Sequence, residues 1–153
     1  AGISGIVCWR NVGLYYGGNE GLKNRYLEIK ECSQCPFCPD GLKSRADFFV
    51  GETGYWTVIL NEYPYPSSRL HLLIVPKRHV VSSTEITAEE WADMPHVTGM
   101  VVGIYPFLSN GFGLAVREGE AGGVTLYHLH FHLITPHINE AGDVQTPINF
   151  GIG

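Results

Sequence analysis

The chain has 153 residues, 44% of them apolar and 16% charged, and a formal net charge of −5 at pH 7. These proportions describe a globular domain large enough to bury a core and exclude a mainly disordered chain; the acidic balance argues against a surface that tracks the phosphates of long nucleic acid, and leaves single nucleotides open. No run approaches the roughly eighteen apolar residues of a membrane-crossing helix, and no charged segment followed by an apolar one opens the chain, so the expectation is a soluble, cytoplasmic protein without a membrane partner.

Residues 1–34 are rich in glycine and aromatics, with Gly17 and Gly18 following Tyr15 and Tyr16. They carry no motif and are expected to form an extension or cap packed on a core domain of residues 35–153, with turn chemistry near Gly17. Cysteine occurs as Cys8 alone and as Cys32, Cys35 and Cys38 in CSQCPFC. Two cysteines separated by two residues suit tetrahedral thiolate ligation, and such a site needs two further ligands from elsewhere.

From Ala46 the text turns to short strands. DFFVGET and YWTVILN, enriched in Val, Ile, Phe, Trp and Thr, flank Gly54 and read as a hairpin. NEYPYPSSRL follows as a proline-rich loop, and LHLLIVPKRH as a buried strand stopped by Pro76. Thr87 and Glu90 have the spacing of a capping box and open a helix. Pro95 predicts a break and a second helical segment, in which Val97, Met100, Val101 and Ile104 form the face that packs on a sheet. Gly99 and Gly103, four apart, would allow close approach of another helix, and Pro106 ends the segment. A strand over residues 112–117 and a glycine-rich turn lead to YHLHFHLITP, residues 127–136; the tail beyond has turn residues, little periodicity, and the look of an irregular surface segment.

In YHLHFHLITP, His128, His130 and His132 alternate strictly with Leu129, Phe131 and Leu133. Period two predicts a half-buried strand with all three imidazoles on one face, neighbours roughly 7 Å apart, and the apolar set in a core behind them. Three titratable rings in register do nothing for packing that Val or Thr would not do better. They suit either a histidine nucleophile or a three-histidine metal site. A cupin-like metal site wants a carboxylate shortly after the second histidine, where Ile134 and Thr135 stand. Of the three, His130 is flanked on both sides and so best placed to have its tautomer fixed, which frees one ring nitrogen for attack on phosphorus.

The signature His-x-His-x-His followed by apolar residues, preceded by REGEAGGVTL and by Pro-Lys-x-His at residues 76–79, resembles the histidine triad (HIT) superfamily of nucleotide hydrolases and transferases, in its branch with a CxxC zinc site. The resemblance runs from about Cys35 to about Pro136. It implies an α+β, HIT-like fold with a mainly antiparallel sheet of about five strands and a helix packed across it, and a homodimer. It implies a nucleotide hydrolase or nucleotidyl transferase whose nucleophile is His130, forming a covalent nucleotidyl-histidine on a small-molecule nucleotide substrate. His132 would assist the departing group, Thr125 would bond phosphate, and His71 would lie close to the nucleophile. Asn61 of NEYPY would reach the ribose hydroxyls. Structural zinc would sit on Cys35, Cys38, His79 and His128, with Cys32 a spare thiolate and no organic cofactor; two thiolates and two imidazoles close a tetrahedral site with no position for a catalytic water.

The chain departs from the family in the segment from Pro66 to Leu70, which is longer, and at Arg117 and Val124, which replace common Asn and Gln. Thr135, Pro136 and His137 stand where Pro-Arg is common. Arg117 could supply a phosphate contact of its own, since a guanidinium pairs two oxygens at once. Two other classes stay open: a catalytically silent nucleotide-binding module, and a metalloenzyme using the three histidines as its zinc site.

Overall fold

The computed structural model describes residues 35–153; the expected cap of residues 1–34 and the spare ligand Cys32 lie outside them. In chain order the elements are a short helix α1 (Pro39–Lys43), strands β1 (Phe49–Glu52), β2 (Trp56–Leu60) and β3 (Ser68–Pro76), a long helix α2 (Ala88–Ile104), and strands β4 (Gly113–Val116) and β5 (Phe131–Pro136). The strands make one sheet in the order β1-β2-β3-β5-β4, and every neighbouring pair is antiparallel. With α2 lying across it, this is the expected α+β, HIT-like architecture. No helix among the described residues is long and apolar enough to cross a membrane.

Register explains why the centre of the sheet reads as continuous apolar text. Val58 pairs with Ile74, Ile74 with Phe131, and Leu72 with Leu133, and these side chains meet Val97 and Val101 of α2 in one core. Ile59, Leu73 and Val75 point to the opposite face, where Cys35, Phe37 and Leu126 cover them. Strands buried on both faces have no room for alternation, and each side chain so enclosed contributes about 1.5–3 kcal/mol over an exposed one.

Helix α2 begins as its sequence predicts. Thr87 Oγ1 accepts from the Glu90 N–H at 3.1 Å while a Glu90 carboxylate oxygen accepts from the Thr87 N–H at 3.0 Å. Arg78 pairs with the same buried carboxylate at 2.7 Å, and the Trp56 indole donates to the Glu90 carbonyl at 2.9 Å.

The predicted break at Pro95 does not occur: α2 is one helix of 17 residues with Pro95 inside it. Pro95 and the preceding-turn residue Trp91 are both exposed, so the carbonyl that loses its partner faces solvent. The buried positions Glu90, Met94, Val97 and Val101 run through the proline and hold both halves against the sheet. Ile104, expected in that face, is 46% exposed, because the helix ends there and its C-cap, Tyr105, turns the chain away. Among the described residues no close approach uses Gly99 or Gly103: a Cβ at either would meet none of their atoms within 4 Å.

The histidine segment is less regular than its alternation suggests. Hydrogen-bonded pairing in β5 begins at Phe131, so His128 and His130 precede the strand. The Leu129 N–H donates to the Val80 carbonyl at 2.7 Å, drawing residues 128–130 off the β3 ladder. Sidedness survives, since Leu129, Phe131 and Leu133 all enter the core under α2.

Candidate active site and metal centre

His128 is fully buried, and its two ring nitrogens have different partners. Nε2 lies 2.8 Å from the Pro76 carbonyl, which can only accept, so Nε2 carries the proton. Nδ1 is left with its lone pair toward Cys35 Sγ at 3.3 Å and Cys38 Sγ at 3.6 Å, and Cys38 Sγ lies 3.2 Å from His79 Nδ1. The four donor atoms fall within 4.8 Å of one another and are the group among the described residues that could hold a metal ion. Tetrahedral coordination at ordinary zinc–sulfur and zinc–nitrogen lengths sets sulfur and nitrogen about 3.5 Å apart, so these residues fit such an ion as they stand. Burial, reinforced by Cys35, pushes the Cys38 thiol up to about 12, so a bound cation would displace a proton. Both cysteines are free thiols. The expected set Cys35, Cys38, His79 and His128 is thereby brought together; among the described residues no such group is made of His128, His130 and His132, because His128 turns Nδ1 to the cysteines.

The backbone carbonyl of His128 also serves its neighbour. His130 Nδ1 lies 2.8 Å from that oxygen, so the proton sits on Nδ1 and the Nε2 lone pair is unprotonated. The rings of His130 and His132 are 5.1 Å apart at their centroids, closer than two residues on a straight strand, because His130 lies before the ladder begins.

A second chain of bonds fixes His132. His132 stands opposite Leu73 in the β3–β5 register, which makes His71 its diagonal neighbour. The Tyr65 N–H donates to His71 Nδ1 at 3.1 Å, and His71 Nε2 then donates to His132 Nδ1 at 2.8 Å. A neutral His132 therefore keeps its proton on Nε2. His71, expected close to the nucleophile, feels the charge of His130 and makes its hydrogen bond to His132. Burial holds His71 down at about 4, and pushes His132 well below and His130 below the usual imidazole range, so all three are neutral at pH 7.

His130 and His132 open onto a cleft of about 800 Å³ that Thr125, Asn61 and Arg117 also line. Asn61 Nδ2 lies 3.3 and 3.5 Å from the two nitrogens of His71, and its Oδ1 accepts from the Tyr63 N–H at 2.9 Å. The longer stretch after Pro66 is a turn in which Ser68 N–H and Oγ both donate to the Tyr65 carbonyl, with Ser67 at φ 68°; it keeps the Tyr65 amide aimed at His71. Arg117 donates from Nη1 to the Tyr65 hydroxyl at 2.5 Å and from Nε to the Gly151 carbonyl at 2.7 Å, and stacks on Phe150 at 3.8 Å.

Three aromatic residues of this site were not identified from sequence. Phe37, inside CPFC, meets His130 edge-on at 5.1 Å; Tyr65, inside NEYPY, stacks on His132 at 5.7 Å; Phe150 of the tail meets His132 at 5.2 Å. The first two stand in motifs already quoted. No signal pointed to Phe150.

A five-stranded antiparallel sheet that presents His130 and His132 to a cleft and clasps His128 in a cysteine–histidine cluster defines a HIT-like protein. The family model described as the HIT domain matches residues 43–139, more than half of the chain, and this chain belongs to that family. An uncharacterized HIT-like protein of Synechococcus elongatus is 35% identical over 71 residues, covering 45% of this chain and 62% of that protein. The bifunctional bis(5'-adenosyl)-triphosphatase/adenylylsulfatase of Arabidopsis thaliana is 30% identical over 106 residues, 67% of this chain and 56% of the plant protein. The chain thus spans less than two thirds of either relative. A Zn-bound histidine triad family protein from Mycobacterium smegmatis superposes with a TM-score of 0.54 at 26% identity, covering 71% of this chain and 78% of that one.

Proposed function

We propose that this protein is a nucleotide hydrolase or nucleotidyl transferase that acts on a nucleoside phosphate linkage through a nucleotidyl-histidine at His130. The observation that carries the reading is the bond from His130 Nδ1–H to the His128 carbonyl, because it leaves the Nε2 lone pair free and stabilises the ring as it gains positive charge. Nε2 forms a bond to the α-phosphorus while the bond from phosphorus to the leaving group breaks, and the leaving group departs with the electron pair. His132, with Nε2–H held ready by His71, donates to the departing atom or to a non-bridging oxygen. Water or another acceptor then attacks phosphorus, the phosphorus–nitrogen bond breaks, and the proton released from the acceptor returns through His132.

Thr125 serves the phosphate oxygens, Asn61 the ribose side, and the Arg117 guanidinium adds positive charge to the cleft. Zinc on Cys35, Cys38, His79 and His128 is structural in this reading, since the four ligands close its coordination. When bound, it supplies cross-linking of residues 35–38 to the loop after β3 and to the histidine segment. The reading also includes an intracellular setting that keeps both thiols reduced, and a homodimer, whose size sedimentation would test.

The support lies in the paired tautomers of His130 and His132, in family membership, and in a plant relative that is a bis(5'-adenosyl)-triphosphatase. The test is acid-quenched turnover of diadenosine triphosphate and of an adenosine phosphoramidate. The expected result is nucleotide held by an acid-labile, base-stable linkage that maps to His130. Tight nucleotide binding with no turnover of either substrate would instead mark a silent binding module.

A further inference from the structure

We propose that residues 147–153 form a strap walling the leaving-group side of the cleft, and that Phe150 is the residue that limits the size of the leaving group. This rests on the reading above, in which His132 faces the departing atom.

Residues 147–149 and 151–153 line the same cleft as His130 and His132, and Phe150 between them meets the His132 ring at its edge of the cleft, although the tail has no helix or strand of its own. Its position is fixed by tertiary contacts. Arg117 grips it twice, with Nε on the Gly151 carbonyl and the guanidinium face on the Phe150 ring, while Nη1 of the same group holds the Tyr65 hydroxyl. At its end the strap passes close to Gly123, where φ is +80° and an added Cβ would come 2.5 Å from the Gly153 carbonyl oxygen. Only a residue without a side chain leaves that path open.

The consequence is a box around one imidazole. His132 has Tyr65 stacked at 5.7 Å and Phe150 edge-on at 5.2 Å, and the two aromatics approach each other at 6.2 Å. His130 has neither ring against it; its aromatic contact is Phe37. Crowding therefore falls on the His132 side, where a leaving group would emerge. A compact leaving group, such as a small amine or a single inorganic oxyanion, clears this box. A second nucleoside carried on a polyphosphate chain meets Phe150.

Titration calorimetry on the full chain tests this with two ligands of the same nucleoside: the methyl ester of adenosine monophosphate, and a methylene-bridged analogue of diadenosine triphosphate. The readout is the ratio of their affinities. Phe150→Ala should shift that ratio toward the dinucleotide by about fivefold or more, and Phe150→Trp should shift it the other way, as expected of a steric wall. A loss of order in the tail alone would move both variants in one direction and would overturn the proposal, as would a ratio that stays within about twofold in both. If the wild-type chain binds both ligands and the ratio fails to move, the strap fails and the nucleotide reading stands. If it binds neither, both are overturned together.

Discussion

His71 donates to His132 across 2.8 Å, and the direction of that bond is set from outside the cleft, by the Tyr65 amide that occupies the other nitrogen of His71. A protonated His71 could not accept from that amide. Burial accordingly holds its folded pKa near 4 against an ordinary 6.5. Between those values the unfolded chain binds the additional proton, so stability rises with pH through the window, is complete above about 6.5, and falls by up to about 3 kcal/mol as pH drops to 4. Urea denaturation at a series of pH values should show this slope. His71→Gln, which cannot titrate, should be less stable at pH 7 by about 1–3 kcal/mol yet flatter below it; an equally steep curve for the variant would assign the slope to other groups.

The metal site should announce itself in composition and in stability. Protein purified without chelator is expected to hold about one zinc per chain. Cys35→Ser should lose most of it and melt at least about 6 °C lower, because metal binding contributes folding free energy. A chain that is stoichiometrically metal-free, with Cys35→Ser as stable as wild type, would refute a structural ion there.

His130 and His132 should fail differently. His130→Ala should reduce turnover by more than about a thousandfold while nucleotide affinity stays close to wild type, since its ring is needed for bond making. His132→Ala should slow poor leaving groups far more than good ones. Undiminished turnover in His130→Ala would remove the covalent mechanism.

Arg117 can serve phosphate through its charge or act solely as a tether of residues 147–153. Glu118, its neighbour, is not its partner; that carboxylate accepts from the Ser82 and Ser83 hydroxyls and the Ser83 amide. Arg117→Ala should weaken binding of nucleoside monophosphate by about tenfold and of bare nucleoside much less. Arg117→Lys should recover most of that loss if charge is what matters; behaviour identical to Arg117→Ala would assign the residue to the tether.

Pro95→Ala should stabilise the protein. It restores a backbone donor in the middle of a continuous helix at an exposed position, worth about 1–3 kcal/mol in chemical denaturation. A destabilised variant would show that the proline ring itself packs or limits the unfolded chain.

Much of the sheet was legible because its cues are local: apolar runs in residues 56–60 and 70–76, a capping box at Thr87, and a proline after the last helical turn. Pro95 misled because the rule against interior proline is also local, whereas the packing of Met94, Val97 and Val101 spans both sides of it. Alternation in residues 128–133 gave the correct sidedness but the wrong regularity, since the bond from Leu129 to Val80 links distant segments. The metal ligands came together through the likeness of CPFC and Pro-Lys-x-His to a family, as spacing alone could not join residues 38 and 128. The tail's irregularity was legible but its place at the cleft was not, because Arg117 and Tyr65 hold it there and it has no periodicity to display.

One side chain and its own carbonyl link the two halves of the site. His128 points Nδ1 at Cys35 and Cys38, and its backbone oxygen accepts the hydrogen bond from His130 Nδ1–H. A preparation short of metal would then contain two populations, one with His130 held in register and one without. Its specific activity would count intact sites, falling in proportion to ion content, while KM, a property of those intact sites alone, would stay constant.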